Sequence, residues 1–404
     1  MIDLIILLSV ILVLGLLIAL KLNLGLSIFL SAVLLGILEG SNILALLKNV
    51  WGTVSAMDTL EVLIIVIFIT VFADILSVSG FLEEIVSSFS KIFSPKIFIP
   101  AFAFIIGALP MPGGALVSAP LVEEGAKTSD ISSNEKTVIN YWFRHIWEPV
   151  SPIYSEMPMN AAILGVSIPF LIDIQWPVSV AMIISGIVFL LPLIRINGDS
   201  KRENNFKFYL EAFKSIIPII IVILLILVFK FSIILSIAVG IIYVIVVKKV
   251  SFKKAVKSIN LRSFFNIMFL MFSIFYLKYI VIGSNAIAGV YKVLGTYNIP
   301  DFLILFLLPF IVGFMTGVSN AAFGVSYPLL LPIIKPANIV SSNLFIAYLG
   351  GWLGVMLTPT HLCLSLSVEY FSAKFKGTYK ILVKNLAFVF LISVIWLFVL
   401  KFLK

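Results

Sequence analysis

Residues 107–120 read GALPMPGGALVSAP, and residues 313–328 read GFMTGVSNAAFGVSYP. Pro110, Pro112, Gly113 and Gly114 crowd the first tip, and two prolines with two glycines at that spacing cannot continue a helix. The second tip is Thr316-Gly317-Val318-Ser319-Asn320-Ala321. Apolar arms flank both tips, over 98–126 and 302–334. Arms of about 12 residues give roughly 18 Å of helix, enough to pass the middle of a bilayer but not to cross its hydrocarbon core of about 30 Å. Each stretch is therefore expected to enter and leave on one side, as a re-entrant hairpin. Non-helical backbone at that depth is tolerated only when it is buried in protein or faces a watery cavity. A tight loop between two short buried helices, with no ligand, is the plainer alternative.

Working outward, the two stretches match in order. Gly107, Ser118-Ala119-Pro120, Ser132-Ser133-Asn134 and Ser151-Pro152 are followed by Gly313, Ser326-Tyr327-Pro328, Ser341-Ser342-Asn343 and Thr358-Pro359. Upstream, Lys21, Ser27 to Ser31 and Gly36 match Lys230, Ser232 to Ser236 and Gly240, and every offset lies between 204 and 209 residues. This is one internal repeat of about half the chain. Apolar runs near 3–20, 24–46, 60–80, 177–194, 213–229, 231–247, 264–283 and 381–402 read as membrane spans. The expected fold is an all-α membrane protein of two inverted repeats, 1–196 and 210–404, joined by a cytoplasmic linker at 197–209. Each repeat has five transmembrane spans, a re-entrant hairpin and a broken helix, since an odd number of crossings inverts the second copy. The elements at 97–165 and 301–368 are of transport type, and the remaining spans form a scaffold.

Composition agrees. Hydrophobic residues make up 61% of the 404, charged residues 12%, and mean hydropathy is +1.20. A soluble domain carries about a quarter charged residues. The net charge of +9 comes from short loops between apolar runs, which points to membrane topology and not to nucleic acid. Alternating sides along the chain puts 20 of the 28 Lys and Arg on one face and six on the other, with Arg144 and Lys278 inside spans. The basic face is cytoplasmic by the positive-inside rule, so both termini are expected outside a cell membrane. The apolar N-terminus reads as a first span, not a signal peptide. Segments 81–94 and 285–298 are amphipathic and suit the interface or polar loops alike. One cysteine, Cys363, and two histidines, His145 and His361, are too few to expect a disulfide framework or a Cys/His metal site.

Chemistry is expected where the helices break. Ser132-Ser133-Asn134-Glu135 has the pattern of a capping box. The helix that follows is expected to run about 16 residues to Glu148-Pro149-Val150-Ser151-Pro152, and its counterpart to Thr358-Pro359-Thr360. Arg144 lies about 16 Å along, near the midplane. Proline frees backbone carbonyls there, beside Ser and Thr oxygens that suit a hard cation such as Na⁺. Arg144 and Glu148 are i, i+4; one could hold an anionic group and the other a coupling proton, or the two could neutralise each other. A simple proline kink is the alternative to a site. His145 is expected to be packed or hydrogen-bonded, and Glu156 to lie near the outer end. Asp74 and Lys278 are expected to snorkel to opposite interfaces. The candidate substrate and ion residues are Pro110, Pro112, Gly113, Gly114 and Ser118 in hairpin one, and Arg144, Glu148 and Ser151 at the first break. In the second half they are Thr316, Ser319, Asn320 and Ser326 in the hairpin, and Thr358, Thr360 and His361 at the break.

Two five-span halves with opposed hairpins and broken helices resemble the ion transporter superfamily, which includes divalent anion:sodium symporters and citrate and gluconate permeases. Ser319-Asn320-Ala321 is similar to the symporters' Ser-Asn-Thr sodium motif, and Thr358-Pro359 to the Thr-Pro of their second broken helix. The run at 107–114 looks most like an uncharacterised prokaryotic integral-membrane family of that superfamily. The resemblance implies Na⁺ as coupling ion near Ser319, Asn320 and Thr358, no other cofactor, a homodimer and an elevator-like motion. Pro-Met-Pro-Gly-Gly stands in hairpin one where the symporters carry Ser-Asn-Thr, so a symmetric pair of sodium sites is not implied. The expected function is secondary active transport of a small anionic solute coupled to Na⁺ or H⁺. A lipid-head-group transporter or a channel is the alternative. An intramembrane enzyme would need paired aspartates, a Ser/His pair or H-E-x-x-H, and apart from Ser319 with His361 no such set is present.

Overall fold

Asparagine and serine set the helix starts. Asn23, Asn42, Ser232 and Asn260 each accept from the backbone N–H three residues on, satisfying a donor that the first turn would leave orphaned. The structure, a computed structural model, describes residues 2–402 apart from 82–83, 85–87, 89–93, 110, 112, 128, 197–205, 285–295 and 336. The first half holds α1 (Ile2–Ala19), α2 (Leu24–Leu38), α3 (Ile43–Ser55), α4 (Met57–Val78), α5 (Pro95–Gly107), α6 (Ala115–Ala126), α7 (Ser133–Arg144), α8 (Glu156–Leu164) and α9 (Ile168–Ser185). A π turn and a 3-10 turn carry α9 on to Leu193. The second half holds α10 (Phe206–Leu227), α11 (Ile233–Lys248), α12 (Phe252–Ser258), α13 (Leu261–Gly283), α14 (Asp301–Thr316), α15 (Ser319–Ile334), α16 (Ser341–Leu357), α17 (Leu362–Tyr370) and α18 (Phe375–Phe402). A two-stranded antiparallel ribbon pairs β1 (Ser129–Asp130) with β2 (Arg195–Ile196).

Five helices among the described residues are long and apolar enough to cross a membrane: α4, α9 with its extension, α13, α16 to α17 taken through their break, and α18. Large apolar side chains point outward from them, with Leu391 and Ile395 of α18 62% and 61% exposed. That outward face suits lipid and not water. The apolar run at 24–46, expected as one span, is two helices. Gly40 turns the chain at φ +85°, and Asn42 caps a fresh start for α3. The amphipathic segments 81–94 and 285–298 and the linker at 197–209 lie largely outside the described residues.

The packing is reciprocal between the halves. α2 packs on α13 and α11 on α4; α6 packs on α17 and α15 on α8. α4 and α13 touch directly and run antiparallel. Lys278, near the end of α13, pairs with Asp58 at the start of α4 at 2.6 Å, and Asp74, near the end of α4, accepts from Asn260 N at the start of α13. Lys278, expected to snorkel to an interface, has Asp58 as its carboxylate partner. α9 and α18 are likewise antiparallel: Trp396 Nε1 donates to Ile174 O at 3.0 Å, and Ser185 Oγ to Asn385 Oδ1 at 2.6 Å. α14 and α16 meet backbone to backbone. A Cβ on Gly350 or Gly354 would stand 2.2 Å from Phe306 O or Phe310 O, so only glycine permits that approach.

Candidate functional site

The first break forms earlier than its prolines. Ser132 and Glu135 make the expected capping box, but α7 stops at Arg144 after 12 residues and tightens into a 3-10 turn over His145–Trp147. Pro149 has no N–H to give to His145 O, and that carbonyl accepts from Glu148 N at 3.2 Å instead, the i→i+3 bond of the tightened turn. Irregular chain follows to Glu156, where α8 begins. The second break is short. α16 runs 17 residues to Leu357, Thr358 is extended, and α17 starts at Leu362. Ser341 lies inside α16, which has no side-chain cap; Asn343 instead donates to Ile333 O at 2.8 Å.

Arg144 organises the first tip. Its Nη1 donates to Ile106 O at 3.3 Å and its Nη2 to Met111 O at 2.9 Å, adding charged donors to carbonyls that also accept from Leu109 N and Gly114 N. A Cβ on Gly114 would lie 2.3 Å from Nη2, and one on Gly107 would lie 2.3 Å from Arg144 O. The tip therefore closes around the guanidinium only with glycine at both places. Pro110 and Pro112 lie outside the described residues. The i, i+4 pairing of Arg144 with Glu148 is not made. The helix ends at Arg144, which removes the turn that would have stacked the two, and Glu148 is turned to the other half.

Glu148 Oε1 accepts from Ser319 Oγ at the start of α15, and Asn320 Nδ2 donates to Ser155 Oγ at 2.9 Å. The first break thus holds the second tip. Among the described residues, Glu148 Oε2, Glu156 Oε1 and Asn320 Oδ1 are buried without a hydrogen-bond partner. Gly317, at φ +66°, turns the second tip against His361.

These groups wall a cavity of about 370 Å³. Tip one gives it Met111 and Gly113, tip two gives Gly317 to Asn320, and the first break gives Arg144, His145, Glu148 and Tyr154 to Glu156. The second break adds His361 to Cys363, while Asn23 and Gly25 beside α2 and Ser263 and Asn266 of α13 close the far side. Of the candidates read from sequence, Gly113, Arg144, Glu148, Ser319, Asn320 and His361 line it. The other described candidates do not line it. Gly114 packs on Arg144. Ser118 donates to Asn140, which bonds Ala115 O and Ser367. Ser151 is buried, and Thr316 bonds Val312 O. Ser326 is buried in α15, and Thr358 pairs with Thr360 at 2.8 Å. The partners of Ser319 and Asn320 are Glu148 and Ser155, so Thr358 is not their neighbour by hydrogen bonding.

Sequence reasoning missed Tyr154, Ser155, Asn23 and Asn266, the last two joined at 3.1 Å. It also placed Glu156 near the outer end, whereas Glu156 is buried against the central cavity. Three residues too few by count to expect a Cys/His site nevertheless meet. His145, His361 and Cys363 converge, with their ligand atoms all within 4.8 Å of one another. Counting residue types cannot see a cluster whose members lie more than 200 residues apart.

Long, apolar, lipid-compatible helices define a helical protein of membrane type. The chain belongs to the family described as "Protein of unknown function (DUF401)", whose family model matches residues 2–400. No curated protein matches it.

Proposed function

We propose that the chain is a secondary active transporter of a small anionic solute coupled to Na⁺ or H⁺. The observation that carries this reading is that one cavity of about 370 Å³ is walled jointly by both tips and both breaks. Ligand sites in such transporters lie where discontinuous helices meet, at the interface of two repeats. Antiparallel packing of α4 on α13 and of α9 on α18, with reciprocal contacts elsewhere, supports two inverted repeats with re-entrant hairpins, as in the ion transporter superfamily. On this reading hairpins and breaks form the moving element of an elevator-like homodimer. The chain lies in the cell membrane with both termini outside.

The coupling cation fits at Glu148, where one carboxylate oxygen, the Ser319 hydroxyl and the Asn320 side-chain oxygen offer hard oxygen ligands. Arg144 on the same wall favours an anionic solute. The test begins with thermal stabilisation of the purified chain by carboxylates, oxyanions and phosphorylated compounds, with and without Na⁺. Stabilising compounds then go into proteoliposome uptake under a Na⁺ or pH gradient. Gradient-driven uptake lost in Glu148→Gln is the expected result. Uptake that neither gradient accelerates would remove coupled transport.

A further inference from the structure

We propose that His145, His361 and Cys363 form a binding site for a borderline-soft divalent cation of the zinc class, tying the two breaks together. The argument starts from the tautomers. His145 Nδ1 lies 2.6 Å from Tyr141 O, and His361 Nδ1 lies 2.7 Å from Gly317 O. A carbonyl only accepts, so each Nδ1 carries the proton and each Nε2 of a neutral ring is left with a lone pair. Those two Nε2 atoms face each other at 2.9 Å. Two acceptors at that distance repel unless a cation lies between them.

The third member decides which cation. Cys363 brings its sulfur to the same point, all three ligand atoms being within 4.8 Å. A shared proton needs only the two rings, whereas nitrogen, nitrogen and sulfur together make a ligand set for zinc. Each imidazole is also anchored through its far nitrogen to a backbone carbonyl, the arrangement that orients metal-bound histidines and fixes their tautomer. With Zn–N distances of about 2.0–2.1 Å, a tetrahedral ion holds its nitrogens about 3.3 Å apart, so the rings need to separate by roughly 0.4 Å. All three residues line the central cavity, which leaves the fourth position facing it. One ligand comes from the first break, one from the second and one from the first turn of α17, so an ion here bridges the halves. The inference holds whether or not the chain transports a solute.

The test uses the purified full chain in detergent, stripped with chelator and titrated with Co²⁺ as a spectroscopic stand-in for Zn²⁺. Stoichiometric binding with a thiolate-to-Co²⁺ charge-transfer band, displaced by equimolar Zn²⁺, is the expected result. Cys363→Ser should abolish the band while leaving the metal-free thermal midpoint in place, and His361→Gln should weaken binding about tenfold or more. Absence of the band in the unaltered chain, or its persistence in Cys363→Ser, would overturn the proposal. So would a cluster that takes up only a proton, with no metal bound at stoichiometric concentration.

Discussion

The two breaks stand at matching places in the two halves and are built differently. The first spans 145–155, between α7 and α8, and is flanked or filled by Arg144, His145, Glu148 and Glu156. The second spans only 358–361, and its side chains are two threonines, a proline and a histidine. The long break reaches in two directions, holding tip one through Arg144 and tip two through Glu148 and Ser155. The short break contacts its own tip at Gly317 and the other break at His145. Charge collects at the first break, and the soft ligands lie mainly at and just beyond the second.

The largest effect should come from the packing under the first break. Gly107→Val drives a side chain into the Arg144 backbone and should cost about 3 kcal/mol or more. Gly317→Ala, whose Cβ meets the second break at 3.0 Å in a left-handed conformation, should cost only about 1–2 kcal/mol. Unfolding midpoints in detergent rank the two, and a larger loss at Gly317 would reverse the comparison. Next is Arg144→Met, which removes two charged hydrogen bonds while the carbonyls of Ile106 and Met111 keep their backbone donors Leu109 N and Gly114 N; a loss of about 2–3 kcal/mol is expected from the same measurement. Arg144→Lys should recover little of it, because an ammonium cannot reproduce the fork that reaches both oxygens. The smallest is Thr358→Val, which removes the bonds of its hydroxyl to the Thr360 hydroxyl and backbone N–H, one of them long, and should cost about 1 kcal/mol. A Thr358→Val loss as large as that of Arg144→Met would mean the second break is as tightly determined as the first.

Much of this was legible in the chain itself. The tips and breaks show because proline and glycine interrupt apolar runs for stated steric reasons, and the cap at Ser132 because its partner Glu135 is three residues away. The division at Gly40 was not legible, since Leu, Ile and Ala continue on both sides of it and hydropathy alone does not see a turn. Nor was the orientation of Glu148. Spacing offered Arg144 as its partner, but the choice was made by where α7 stops and by Ser319, which is 171 residues away. The histidine and cysteine cluster likewise exists only through tertiary approach. Local rules placed the interruptions; which side chains meet across them depended on the packing of one half against the other.

The glycine seam between α14 and α16 constrains how the cavity could ever change shape. With Gly350 and Gly354 seated directly on the carbonyls of Phe306 and Phe310, the two helices are meshed like cogs. Sliding one residue out of register would bring Gly351 and Val355 or Leu349 and Leu353 toward carbonyls that only glycine can approach at both seats. α14, which ends at Thr316 beside the second tip, and α16, which leads to the second break, are therefore keyed in one register, and slippage between them would have to break both seats.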